Sequence, residues 1–160
     1  MSGALSLPRR LNECFAAEAS DPMNLPSSPA FAVPHHDTAK CRALLVEDSF
    51  VLLAALKMLL EDHGVNIVGT ASTLEDALTL VESADYDIAI LDVNLHDKTV
   101  FPVADWLMER HIPFFFATAY VGLPRRYADI PVAEKPYEFG VLIDLVTLTF
   151  AQAKAQPVHW

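Results

Sequence analysis

Glycine is scarce in this 160-residue chain, which has five copies, and those five stand apart from one another. No segment has the clustered glycines with which phosphate-binding loops and dinucleotide folds expose backbone N–H groups, so both site types are excluded. Cysteine is scarcer. Only Cys14 and Cys41 could pair, and nothing points to an oxidising compartment. Basic residues are outnumbered, with 11 Lys and Arg against 21 Asp and Glu and a net charge of −10. A surface of that sign repels nucleic-acid phosphates and anionic lipid, so neither nucleic acid nor membrane is expected as a partner. Long apolar runs are also missing. The longest, Val51 to Leu60, falls short of the roughly 18 to 20 residues that span a bilayer and contains Lys57. Arg9 and Arg10 lead into no apolar stretch, so no secretory signal is read. A cytoplasmic protein is the expectation that survives.

What the chain does have is apolar mass, 52% of its residues, at a length that buries roughly 70% of the unfolded surface in one domain. Prolines divide it. Five of the eleven (Pro8, Pro22, Pro26, Pro29 and Pro34) fall in the first 40 residues. Residues 20–40 show no helical or alternating pattern and read as a flexible linker. Ahead of them, residues 8–19 have the spacing of one short helix, marginal alone at that length. The division expected is a Pro-rich extension over 1–40, a folded domain over 41–155 and a short tail over 156–160.

From Arg42 onward, branched apolar bursts alternate with helical stretches. Strands are expected at 43–46, 66–71, 87–91, 113–118 and 130–134. Helices are expected at about 49–62, 73–83, 99–110, 121–128 and 137–155. Five nearly continuous apolar strands alternating with five helices specify a doubly wound α/β fold, a five-stranded parallel sheet covered on both faces. Local punctuation agrees: Asp48 or Ser49 caps the first helix, Gly64 ends it, and Thr73 with Asp76 opens the second.

Ligands in such a sheet bind beyond the carboxyl ends of the strands. The residues there are Glu47 and Asp48 after the first strand, Asp92 after the third, Thr118 after the fourth and Lys135 after the fifth. Three carboxylates face one ammonium, and a divalent cation balances the difference. All-oxygen ligands without His or Cys favour Mg²⁺. A carboxylate can attack phosphorus to give an aspartyl phosphate, with the metal, Lys135 and Thr118 stabilising the phosphoryl oxygens. The plainer alternative is a solvated acidic rim, with Lys135 in a surface ion pair with Glu134 or Glu138.

These residues carry a family likeness. Over residues 42–155, VEDS (46–49), ILDVNL (90–95), FAT (116–118) and EKPY (134–137) occur in an order and spacing that resemble a CheY-like response-regulator receiver domain of flavodoxin-like (βα)5 fold. The resemblance implies that Asp92 is the phosphoacceptor and that Glu47, Asp48, Asp92 and the Asn94 backbone carbonyl hold Mg²⁺. It further implies that Thr118 and Lys135 contact the phosphoryl group, that Lys135–Pro136 is cis, and that a sensor histidine kinase or histidine phosphotransfer protein is the donor. PFFFATAY (113–120) is similar to the PFxFATGY stretch of the alphaproteobacterial FAT-GUY group of single-domain receivers, with Ala119 in place of Gly. That group suggests a link to stress signalling. Many receivers place an aromatic switch three residues before the lysine. Here that position is Val132, and Tyr120 is the nearest candidate for a lid or substitute switch.

The first helix, apolar almost all round, leaves Phe50, Leu53, Ala54 and Met58 outward if Leu52, Leu56, Leu59 and Leu60 face the sheet. Receivers dock their kinase or phosphotransfer partner on this helix, and cover by the extension or a homodimer seam are the other uses of such a patch. His96, in the loop after Asp92, is read mainly as a solvent-facing loop residue, and Trp106 as packing for the third helix. The reading is a stand-alone receiver whose output runs through an unknown downstream protein or through competition for phosphate. Two rivals are weighed. A haloacid-dehalogenase-type phosphatase needs an acid two residues after the nucleophile, where Asn94 stands. A pseudo-receiver, binding protein without phosphorylation, remains the alternative because of Val132.

Overall fold

The computed structural model describes Thr38 and residues 40–155. The expected extension with its short helix, and the tail at 156–160, therefore lie outside the described residues. The described chain runs β1 (Arg42–Val46), α1 (Phe50–Asp62), β2 (Asn66–Ala71), α2 (Leu74–Ser83) and β3 (Ile88–Leu91). A small hairpin follows, β4 (Asn94–Leu95) with β5 (Lys98–Thr99). Then come α3 (Phe101–Glu109), β6 (Phe114–Thr118), a single 3-10 turn at Arg125–Tyr127, β7 (Val132–Glu134) and α4 (Phe139–Ala155).

Five strands form one parallel sheet in the order β2-β1-β3-β6-β7. All five point the same way, but β2 is added on one side of β1 and β3, β6 and β7 on the other, so the carboxyl ends of β1 and β3 flank the topological switch point. The period-2 alternation of each strand divides its residues between two cores. Ala43, Leu45, Ile88, Ile90, Phe115 and Ala117 face α1 and α4, where Leu56, Leu60, Leu142, Val146 and Phe150 are buried. Leu44, Val46, Ala89, Leu91, Phe114 and Phe116 face the opposite way, towards Ala77, Val81, Val103 and Leu107. Strands buried on both sides need apolar residues at every position, which is why they read as unbroken runs.

Capping follows the local sequence. Ser49, in extended backbone, is the N-cap of α1 and its hydroxyl accepts from the Leu52 N–H. At the other end Gly64 adopts φ 82°. The Val65 N–H bonds the Leu60 carbonyl and the Gly64 N–H the Glu61 carbonyl, a Schellman closure that needs this left-handed residue. Thr73 Oγ1 accepts from the Asp76 N–H at 3.2 Å to open α2.

Two expectations change. The helix expected at 121–128 is the single turn Arg125–Tyr127. Gly122 sits at φ 87° and Pro124 is extended, so no helix begins before Arg125. Pro131 lies a few residues further on and disfavours helical backbone at Ile130. The β4–β5 hairpin, directly after Asp92, was unforeseen because two-residue strands leave too little alternation to read.

Candidate functional site

Four strands deliver the predicted residues to one edge of the sheet. Glu47 follows β1 and is 2% exposed; Asp92 follows β3 and is 7% exposed. Each has a ligand oxygen within 4.8 Å of the others in a cluster completed by Asp48. Thr118, the last residue of β6, is fully buried, and Lys135 follows β7. The ends of β6 and β7 are linked here as well, since the Lys135 N–H donates to the Thr118 carbonyl at 2.9 Å.

Lys135 is the centre of the arrangement. Its Nζ donates to Glu47 Oε2 at 2.7 Å and to Asp92 Oδ2 at 2.6 Å. The surface pairing with Glu134 or Glu138 considered from the sequence is therefore corrected. Burial works against the ammonium, but its bonds to Asp92 and Glu47 outweigh that and hold its pKa above the ordinary lysine value. Burial dominates at Glu47 and pushes its pKa up, against the opposing bonds from Lys135 and the Ser49 N–H.

Asp92 Oδ1 accepts a longer bond, 3.4 Å, from the Asn94 N–H. Asp48 is less buried, and its Oδ2 accepts from the His96 N–H at 3.0 Å, with His96 Nδ1 at 3.5 Å. His96 reaches this position by adopting φ 58°, a region that side chains with a Cβ rarely enter. The bond makes His96 a backbone support for the acidic pocket, a role its sequence context did not reveal. The Lys135–Pro136 bond is cis, as the likeness implied.

Tyr120 is half-buried. Its N–H donates to Thr118 Oγ1 at 3.1 Å, and its ring meets Phe101 edge-on with centroids 6.1 Å apart. Val132 pairs in register with Phe116 and is half-buried in the core under α2 and α3. On α1, Phe50, Ala54 and Met58 are exposed as expected, but Leu53 is half-buried and packs on the core beside Leu52. Its turn of the helix faces the sheet more than the stripe assumed from spacing. Val51, 77% exposed, takes its place in the outward patch.

A parallel sheet with its switch point between β1 and β3, and an acid cluster joined there to a lysine, defines a flavodoxin-like, CheY-type signalling module. The profile of response regulator receiver domains matches residues 43–128, and the chain belongs to this family of two-component signalling domains. Lys135 lies beyond the matched segment. The chain is 38% identical over 82 residues to the sensory transduction protein LytT of Bacillus cereus, covering 49% of this chain and 33% of that protein. It thus spans about a third of the curated relatives it matches. Among solved structures it is similar to SdrG from Sphingomonas melonis (TM-score 0.60, 37% identity, 73% of this chain and 98% of that one). It is also similar to the signal receiver domain of a LuxO repressor protein from Vibrio parahaemolyticus (TM-score 0.63, 30% identity, 71% and 92%). The response regulator PhyR from Brucella abortus shares the fold (TM-score 0.65, 22% identity, 76% and 52%). Receiver domains are signalling modules that act with kinases or phosphotransfer proteins. No described helix is long and apolar enough to cross a membrane.

Proposed function

We propose that this chain is a phosphoacceptor whose Asp92 takes a phosphoryl group in the presence of Mg²⁺. The observation that carries the reading is the Lys135 ammonium, held by both Glu47 and Asp92 beside a buried Thr118. Asp92 Oδ2 is engaged by Lys135, which leaves Oδ1, with its longer bond from Asn94, as the oxygen that attacks phosphorus. The bond formed is Oδ1–P and the bond broken is that from phosphorus to the donor, which departs with the bonding electrons. Lys135 then shifts its hydrogen bond to a phosphoryl oxygen, and the Thr118 hydroxyl donates to another.

The donor set suits a hard divalent cation, being three oxygen-bearing side chains without nitrogen or sulfur. Glu47, Asp48 and Asp92, with the Asn94 carbonyl, would hold Mg²⁺. When bound, it neutralises charge on the cluster and on the phosphoryl oxygens. Phosphate would come from a sensor histidine kinase or a histidine phosphotransfer protein docking on Phe50, Val51, Ala54 and Met58 of α1. Tyr120 acts as the mobile cover of the site in place of the aromatic absent at Val132.

The test is a phosphate-affinity gel of wild type and Asp92→Ala after incubation with acetyl phosphate, with Mg²⁺ or with EDTA. A retarded band only in wild type with Mg²⁺ is expected. No retardation with either acetyl phosphate or a phosphorylated phosphotransfer protein overturns the reading and leaves the pseudo-receiver. Deleting residues 1–40 is expected to leave the retardation intact.

A further inference from the structure

Tyr127, which the sequence did not single out, is the residue around which the connection from β6 to β7 is organised. It is 1% exposed, although the turn that carries it has only three residues. Its ring stacks on Phe101 with centroids 5.2 Å apart and meets Phe116 edge-on at 5.5 Å. Phe116 is the strand partner of Val132, so Tyr127 brings an aromatic ring to the part of the core where β7 offers only a valine. The phenol donates to Asp105 Oδ1 of α3 at 2.6 Å, with the Phe101 carbonyl 3.3 Å away. Arg126 closes the group from outside. Its Nε donates to Asp105 Oδ1 at 3.0 Å, and its guanidinium lies 4.6 Å from the Tyr127 ring centroid.

The cluster connects back to the site through side chains in contact. Phe101 touches Tyr127 on one side and Tyr120 on the other, and the Tyr120 N–H is bonded to Thr118 Oγ1. In the segment between, Leu123 packs against the core but the two residues before it are open. Val121 is 91% exposed, and Gly122 adopts φ 87° with open space around its Cβ position. We infer that Tyr127, Asp105 and Arg126 form a latch that pins the β6–β7 connection to α3, and that phosphorylation of Asp92 releases it. The inference rests on the phosphoacceptor reading above. A phosphoryl group draws the Thr118 hydroxyl toward Asp92 and away from the Tyr120 N–H. Tyr120 then loses its hold against Phe101, and the ring stack that seats Tyr127 is no longer supported from the site side. Two states follow, one latched to α3 and one with residues 119–130 loosened, and only the second presents that segment to a partner.

The test is hydrogen–deuterium exchange of the full chain over residues 119–130, where the Tyr127, Ala128 and Ile130 N–H groups are bonded within the turn. Wild type, Asp92→Ala, Tyr127→Phe and Arg126→Gln are each measured with Mg²⁺, with and without beryllofluoride. The same samples go on a phosphate-affinity gel after acetyl phosphate. Beryllofluoride is expected to speed exchange in this segment about tenfold in wild type and to leave Asp92→Ala unchanged. Tyr127→Phe is expected to exchange fast without it and to show no further response, while still taking phosphate on the gel. The exposed Arg126→Gln, which leaves the core intact, is expected to lie between the two. If wild type is retarded on the gel and its exchange over 119–130 stays unchanged, the latch is overturned and the phosphoacceptor stands. If both variants respond as wild type does, the latch is again overturned. No retardation of wild type with either acetyl phosphate or a phosphorylated phosphotransfer protein overturns both readings.

Discussion

The two faces of the sheet are covered in different ways. Over one lie α1 and α4, helices of 13 and 17 residues, whose contact with the strands is mainly aliphatic, with Phe115 and Phe150 its buried rings. Over the other lie two shorter helices and a 3-10 turn, with Phe101, Phe114, Phe116, Tyr120 and Tyr127 packed among them and a polar closure at Asp105 and Arg126. Aliphatic burial is non-directional and persists through small displacements, whereas an edge-on ring pair or a hydrogen bond is lost once its geometry goes. The first face suits a stable platform approached from outside. The second suits a part that has two arrangements.

Four variants sharpen that contrast, from largest effect to smallest. Leu60→Ala on α1, fully buried in the aliphatic core, is expected to cost about 2–5 kcal/mol in denaturant unfolding. Tyr127→Phe keeps the ring and removes one hydrogen bond, so on the other face about 1 kcal/mol is expected, since Asp105 is half-exposed and water replaces the phenol. If Tyr127→Phe cost as much as Leu60→Ala, the contrast between the faces would fail.

Asp87 tests the base of the sheet that both faces share. Burial alone would raise its pKa, but the Arg42 guanidinium and N–H that bond it outweigh this and hold it below its ordinary 3.8. A carboxyl depressed on folding contributes stability above its unfolded pKa, and this is lost as pH falls through the folded value. Asp87→Asn is therefore expected to cost about 1 kcal/mol at pH 7 and to flatten the loss of stability below about pH 4, followed by thermal unfolding across pH. Smallest in stability is Phe50→Ser with Met58→Ser on the exposed side of α1, expected within about 0.5 kcal/mol of wild type. The same pair is expected to slow phosphotransfer from a histidine donor while leaving labelling by acetyl phosphate unchanged.

Much of the fold was legible because doubly buried strands and amphipathic helices impose periods that survive in the residues. Ser49, Gly64 and Thr73 marked boundaries through their own backbone chemistry. The turn at Arg125–Tyr127 was not legible as such, because Leu123, Tyr127 and Ile130 mimic a helical stripe that Gly122, Pro124 and Pro131 then interrupt. Leu53 was placed outward because a spacing pattern fixes the angles between residues and leaves open which way the helix is turned. The site residues were legible from their positions after the strands. The support of Asp48 by the His96 N–H and the burial of Tyr127 were not. Both depend on backbone that doubles back, and no periodicity encodes that.

Lys135 has a consequence for the order in which the molecule is made. Glu47 and Asp92 are brought side by side when β1 pairs with β3, and both precede Lys135 along the chain. A ribosome delivers them before Lys135 is made, so an incomplete chain carries two apposed carboxylates without the ammonium that joins them. Once β7 takes its place beside β6, the ammonium fastens the ends of β1 and β3 to the last strand. Synthesis of the whole sheet and assembly of the acidic pocket thus finish together, and a chain cut short before β7 lacks the ammonium of that pocket.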